Sequence, residues 1–256
     1  MQQSNLTLGS GLIRIGRPWG ASGRPVPTEK QALEFLETAF SLGIRFFDTA
    51  PSYGLSEQRL GKFLQSLTES ERKTSTIATK FGEHWDFEKN EPYTDHSYEA
   101  LVESIDKSIS LLGKIDVLQL HKSSPELLMN EGVNKAFEYA KKKGVKSFGA
   151  SVSDLKTGIL VCEDNRLEYI QLPYNEERTE LRPVIDLADQ KNKQILFNRP
   201  FTMGSAVSGL VNEGKENKIM NAFSFILKTN SSGVILSGTA SAKHLKENIG
   251  LFNKTK

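Results

Sequence analysis

The chain has 256 residues, of which 38% are hydrophobic, enough for a sizeable core. Its 33 lysines and arginines face 31 aspartates and glutamates, a formal net charge of +2, so no strong field points to a nucleic acid or membrane partner. Cys162 is the one cysteine, which excludes a disulfide framework and fits a reducing, cytoplasmic setting; no signal-peptide pattern and no apolar run of membrane-spanning length is read.

The predicted elements follow in chain order. Leu12 to Ile15 reads as a first strand, followed by a Gly/Pro-rich loop that holds Trp19. Thr28 and Gln31 form a capping box, Leu33, Leu36, Ala39 and Phe40 give the helix its apolar face, and Gly43 stops it. A short buried strand, Ile44 to Phe47, ends on Asp48. A Pro/Ser/Gly loop follows with Tyr53 at its middle, and Ser56 is the expected N-cap of a helix reaching about Leu67. Thr76 to Thr79 is a strand ending on Lys80, and Phe81 to His96 is expected as a long loop with Trp85 and Tyr93 in it.

Leu101, Ile105, Ile109 and Leu112 repeat at helical spacing, and Gly113 ends that helix. Ile115 to Leu120 is a strand ending on His121. Val133, Phe137 and Ala140 mark a helix whose last turn carries Lys141, Lys142 and Lys143, cations that complement its dipole. Val145 to Ala150, Tyr169 to Leu172, Gln194 to Phe197 and Val234 to Leu236 are the remaining strands. Helices near 155–161, 181–189, 219–226 and 241–249 alternate with them.

Strand–helix alternation implies right-handed parallel crossovers, and eight such units in this length favour a closed (β/α)8 TIM barrel formed by one domain over residues 1–256. An open doubly wound sheet is the alternative. No Gly-x-Gly-x-x-Gly fingerprint follows an early strand, and no tight hairpin signal is seen.

Asp48, Tyr53, Lys80 and His121 fall at strand C-ends or just beyond, where a barrel gathers its active site. Each alone has an ordinary structural reading: a helix-entry cap, a packed phenol, a surface lysine, a satisfied histidine. Together they have a chemical use. A phenol ionises near ~10, and a neighbouring ammonium favours the phenolate. A carboxylate keeps that ammonium charged and in place, and a histidine orients a carbonyl oxygen from the other side. None of the four supplies electrons, so a nicotinamide cofactor is implied.

Residues 43–61, from Gly43 through Asp48, Tyr53 and Glu57 to Gly61, resemble the signature of the aldo-keto reductases, and the likeness extends over nearly the whole chain. The resemblance implies reduction of aldehydes and ketones, or the reverse alcohol oxidation, with Asp48, Tyr53, Lys80 and His121 as the catalytic tetrad. It implies that Ser151 and Gln171 hold the nicotinamide amide, and that the loop with Arg199, Phe201 and Gly204 wraps the pyrophosphate. Ser237, Gly238, Thr239, Ser241, His244, Glu247 and Asn248 match the family's segment for the adenosine phosphate and adenine. That segment also places a glycine and hydroxyls before a helix N-terminus, which suits an anion.

The chain departs from the family pattern in four places. Val152 stands where an asparagine usually follows the serine, and Asn198 where an aromatic often stacks on the nicotinamide. His244 replaces an arginine for the 2′-phosphate, and Gly238 replaces a lysine. A histidine grips phosphate less firmly than a bidentate arginine. NADP(H) is favoured as cofactor, with NAD(H) the second option.

Trp19, Phe81 and Trp85 are the apolar candidates for the substrate pocket, and the short stretch after Asn248 predicts an open site. The expected partner is a small carbonyl or alcohol compound, not a nucleic acid or a membrane. Two rival readings are a nucleotide-binding regulatory subunit with little turnover, and an unrelated barrel hydrolase or lyase using Asp48 and His121. The second needs a metal or a phosphate group, and no metal-ligand spacing is seen.

Overall fold

The computed structural model describes residues 5–20, 25–207, 209–210, 212–229 and 231–256. Its strands are β1 (Asn5–Gly11), β2 (Phe46–Asp48), β3 (Thr76–Phe81), β4 (Glu83–Asp86), β5 (Glu91–Thr94), β6 (Val117–Leu120), β7 (Ser147–Ser151), β8 (Tyr169–Pro173), β9 (Gln194–Asn198) and β10 (Ser232–Ser237). Eight of them close a parallel barrel in the order β1-β10-β9-β8-β7-β6-β3-β2, with β2 returning to β1. The expected TIM barrel is the observed fold.

The helices are α1 (Ile13–Gly16), α2 (Glu29–Ser41), α3 (Ser56–Ser66), α4 (Glu69–Lys73), α5 (Tyr98–Leu112), α6 (Pro125–Met129), α7 (Glu131–Lys142), α8 (Leu155–Glu163), α9 (Arg182–Gln190), α10 (Asn212–Leu227) and α11 (Ala242–Thr255). Their boundaries follow local chemistry. Thr28 and Gln31 form the capping box of α2, and Gly113 takes the left-handed C-cap of α5 at φ 75°.

Two apolar layers explain where the site must be. The larger lies between strands and helices. The smaller fills the barrel interior with Phe46, Ala78, Val117, Leu196, Val234 and Leu236, with Tyr169 packed on it. Side chains alternate along a strand, so the residue two positions on points the same way. From Phe46, Ala78, Val117 and Tyr169 that step leads to Asp48, Lys80, Gln119 and Gln171. A charged and amide layer thus caps the apolar plug at the C-terminal end of the barrel.

Three expectations are corrected. The first strand is Asn5–Gly11, and Ile13–Gly16 is a helical turn. Its Gly-Ser-Gly end hides the strand signal, yet a Cβ on Gly9 would stand 2.6 Å from Val234 Cγ1 on the neighbouring strand. The stretch after Phe81 is not a plain loop: β4 and β5 pair as an antiparallel hairpin, with Asp86 Oδ1 accepting from the Glu88 and Lys89 amides in its turn. Ser56 does not cap α3, whose N-cap is Leu55. Its buried hydroxyl donates to the Leu12 carbonyl at 3.1 Å and accepts from Thr49 Oγ1 at 2.9 Å.

Candidate active site

Asp48, at the tip of β2, is 2% exposed and is surrounded by donors. Lys80 Nζ lies 2.8 Å from both of its carboxylate oxygens and 2.9 Å from the Thr49 carbonyl. Gln119 Nε2 donates to Oδ1 at 3.1 Å and Gln171 Nε2 to Oδ2 at 3.2 Å. Strand register sets this up: Lys80 is paired with Gln119 across β3 and β6. Burial pulls the Lys80 pKa down, but Asp48 and then Tyr53 more than offset it, and the net direction is up. The ammonium stays charged.

Tyr53 ends a short 3-10 turn, Pro51–Tyr53, and its ring centroid is 4.8 Å from the Lys80 ammonium. Two glycines let the preceding segment lie against this turn. A Cβ on Gly16 would be 1.8 Å from the Tyr53 carbonyl oxygen, and one on Gly54 (φ +60°) would be 2.5 Å from the Gly16 carbonyl oxygen. The net phenol pKa is raised. Burial is the main cause, Lys80 pulls it back down, and Asp48 adds to the rise. At neutral pH Tyr53 therefore holds its proton.

His121 follows β6, its ring T-shaped to Tyr53 at 6.0 Å between centroids. Its Nδ1 lies 3.1 Å from Glu83 Oε2 and 3.4 Å from Ser52 Oγ. Burial, then the charges of Lys80, Lys122, Arg17 and His96, hold its pKa well below the usual value. The ring is neutral at pH 7. A carboxylate against Nδ1 requires the proton there, which leaves Nε2 as an acceptor. The other Glu83 oxygen pairs with Lys122.

The three expected pocket aromatics separate. Trp19 and Trp85 are half-buried and meet at Arg17, whose guanidinium carbon is 5.2 Å from one ring centroid and 4.9 Å from the other. Arg14 donates to the Trp19 carbonyl and fixes that loop. Phe81 is not in the mouth: it is fully buried, edge-on to Phe137 of α7 at 4.9 Å. It adjoins the inward-facing Lys80 on one strand and so must face the helices.

The residues expected around a cofactor lie along the C-terminal ends of β7 to β10 and the start of α11. Ser151 pairs with Gln171 in the strand register, and its carbonyl accepts from Ser123 Oγ. Arg199, at φ +56°, has its carbonyl held by Asn175 Nδ2, and its guanidinium is 5.9 Å from the Trp19 centroid. Phe201 packs edge-on against Phe223. Gly204 has φ +94°, and both it and Gly238 border open space. Asn198 Oδ1 and Thr202 Oγ1 are buried with no hydrogen-bond partner among the described residues. Ser241 caps α11 and accepts from the His244 amide, and Thr239 Oγ1 accepts from the Ser241 amide. Asn248 Nδ2 donates to Ser237 Oγ at 3.1 Å, and Glu247 is paired with Lys215.

The family model for the aldo/keto reductase family matches residues 7–209. The chain belongs to the aldo/keto reductase family. Over 203 residues it is 27% identical to the uncharacterized oxidoreductase YqkF of Bacillus subtilis, a match that covers 77% of this chain and 64% of YqkF. A shorter match, 40% identical over 108 residues, covers 41% of this chain and 31% of the L-galactose dehydrogenase of Arabidopsis thaliana. The aligned part is thus less than two thirds of the length of either relative. A solved Pseudomonas aeruginosa structure, provisionally classed as an aldo-keto reductase, superposes with a TM-score of 0.80 at 25% identity, over 97% of this chain and 90% of that one.

Sequence reasoning missed Glu83, Gln119, Ser52 and Arg17. Gln119 was open to discovery, since strand alternation places it beside Lys80. The Glu83–His121 contact joins a hairpin to a different strand end and leaves no signal in local spacing.

Proposed function

We propose that this protein is a nicotinamide-dependent reductase of aldehyde or ketone carbonyls, able to run in reverse as an alcohol dehydrogenase. The observation that carries this reading is Tyr53 held beside the buried Lys80–Asp48 pair, where burial raises the phenol pKa. When bound, a nicotinamide cofactor would supply the hydride for the carbonyl carbon. Tyr53 gives its proton to the oxygen as charge develops there, and the Lys80 ammonium offsets the charge left on the phenolate. Asp48 keeps Lys80 charged and in place. His121, with its proton on Nδ1, offers Nε2 as an acceptor to the hydroxyl that forms, and to an alcohol substrate in the reverse direction.

The residues present fit such a cofactor. The unsatisfied Asn198 Oδ1 and Thr202 Oγ1 mark a place where a polar group completes the loop after β9. Ser151 and Gln171 would hold its amide, Arg199, Phe201 and Gly204 its pyrophosphate, and Ser237, Gly238, Thr239, Ser241, His244, Glu247 and Asn248 its adenosine end. Glu247 and Asn248 already have partners within the chain, which leaves the adenosine phosphate chiefly to the amides and hydroxyls of 237–241. NADP(H) is the favoured form and NAD(H) the second option.

The test is Tyr53→Phe. Aldehyde-dependent oxidation of NADPH should fall roughly 100- to 10,000-fold while nucleotide binding, read by fluorescence, persists. Unchanged turnover removes Tyr53 from the chemistry. Nucleotide binding by the wild-type protein with no carbonyl turnover at all would make it a binding subunit.

A further inference from the structure

Among the described residues, the mouth of the barrel holds a cation, Arg17, that none of the roles above uses. Arg17 follows α1 and is only 9% exposed. Its Cβ is 3.4 Å from where a Cβ on Gly54, the residue after Tyr53, would stand. It thus lies against the turn that carries Tyr53, and its charge acts on Tyr53, Glu83 and His121. Yet its Nε is buried with no hydrogen-bond partner among the described residues.

The neighbouring charges are already matched. Lys80 is paired with Asp48. Glu83, the carboxylate nearest to hand, gives one oxygen to His121 and the other to Lys122. What Arg17 does have is the rings of Trp19 and Trp85. A guanidinium meets aromatic rings with its flat faces, while its N–H donors lie in its plane. Two indoles can therefore satisfy the faces and screen them from water while leaving the edge open. That edge matches the two oxygens of a carboxylate.

We propose that Arg17 is a substrate anchor and that the carbonyl compounds this protein prefers carry a carboxylate. The inference rests on the proposed reductase reading, since it names the substrate class of that same site. The Trp19 and Trp85 rings wall the anchor, and Tyr53 addresses the carbonyl at the other end of the molecule, with His121 accepting from the hydroxyl that forms. The alternative owner of the anion is the cofactor itself, through its pyrophosphate, because Arg199 shares the Trp19 ring with Arg17.

The experiment compares 4-formylbenzoate with its methyl ester, two aldehydes of one skeleton that differ in charge. In the wild-type protein kcat/KM should favour the carboxylate roughly tenfold or more, the range expected of a charge-assisted hydrogen bond, and the preference should shrink as salt is added. Arg17→Met keeps the apolar stem between the indoles but not the charge, and should bring the ratio close to one. Arg17→Lys should retain part of it. An equal ratio in the wild type overturns the proposal, and so does a ratio that Arg17→Met leaves as it was. Loss of NADPH affinity in Arg17→Met, by tenfold or more in a fluorescence titration, also overturns it, since the anion is then the cofactor's.

If neither aldehyde is turned over, the reductase reading fails separately. Calorimetric titration with benzoate and with benzamide then still decides the anchor: benzoate alone should bind, and Arg17→Met should abolish that binding. Equal binding of the two overturns the proposal. The wild-type comparisons stand even where a variant folds poorly.

Discussion

The Lys80 ammonium lies 2.8 Å from each carboxylate oxygen of Asp48, with the two side chains 0% and 3% exposed. A pair this deep in the protein is held by geometry rather than by charge alone. Gln119 and Gln171 take up the remaining acceptor capacity of Asp48, and the Thr49 carbonyl takes a third proton direction of Lys80. Lys80→Met leaves Asp48 buried with two neutral amides and no cation. It should cost about 3–5 kcal/mol of stability, read as a lower urea midpoint, and abolish turnover. The double variant Lys80→Met with Asp48→Leu should regain much of the stability and none of the activity.

Glu83 is predicted to set the orientation and tautomer of His121. In Glu83→Gln the amide can present either an oxygen or a nitrogen to Nδ1, so the ring loses its fixed proton position, and kcat/KM should fall by up to about 100-fold. Removing the carboxylate also makes the charged ring less favourable, so any acid limb of the activity profile should move to lower pH. For the wild-type protein the sign of the stability effect follows from the depressed His121 pKa. The unfolded histidine takes up a proton near ~6.5 while the folded one stays neutral, so stability should decline as pH falls below about that value. Thermal unfolding at pH 7.5 and at pH 5.5 checks this.

Glu57 should be worth replacing. It is 4% exposed and accepts from Thr79 Oγ1 at 2.6 Å, and burial raises its pKa despite that bond. The folded protein therefore holds the Glu57 proton to higher pH than the unfolded chain does, and ionisation weighs against folding at neutral pH. Glu57→Gln keeps an oxygen for Thr79 and removes the charge. Its melting temperature should exceed that of the wild type at pH 7, with the advantage fading as pH falls toward the ordinary carboxylate range. An equal difference at both pH values would show that charge is not the cause.

Gly16 should tolerate no side chain. A Cβ there would overlap the Tyr53 carbonyl oxygen, and it is the backbone of the turn carrying the phenol that would have to shift. Gly16→Ala should cost at least about 1–3 kcal/mol and reduce kcat disproportionately, because the displaced group is Tyr53 itself. Gly43→Ala, at a position with open space around it but φ +91°, should lower stability without a matching loss in kcat. Comparing kcat between the two at a temperature where both are folded separates placement from stability.

Much of the molecule is legible in the chain itself. The strand–helix alternation, the helix caps at Thr28 and Gly113, and the placement of Asp48, Lys80 and His121 at strand ends all depend on neighbours a few residues apart. Hydrophobic period and turn chemistry are local properties, and eight parallel units have few ways to close. The side of the strand on which Phe81 falls is legible too, since Lys80 beside it points inward and strand parity turns the aromatic ring toward the helices.

Other features were decided only by the fold. Asp48 is shared among β3, β6 and β8, Glu83 reaches His121 from a hairpin 38 positions earlier in the numbering, and Arg17 is flanked by indoles from a loop and from β4. Such contacts depend on which strand ends converge at a closed mouth, and their energies come from burial and from pairing between distant segments. A sequence fixes which groups are available; whether a carboxylate meets a histidine or a guanidinium is left without an anion is settled by where the closed barrel puts them.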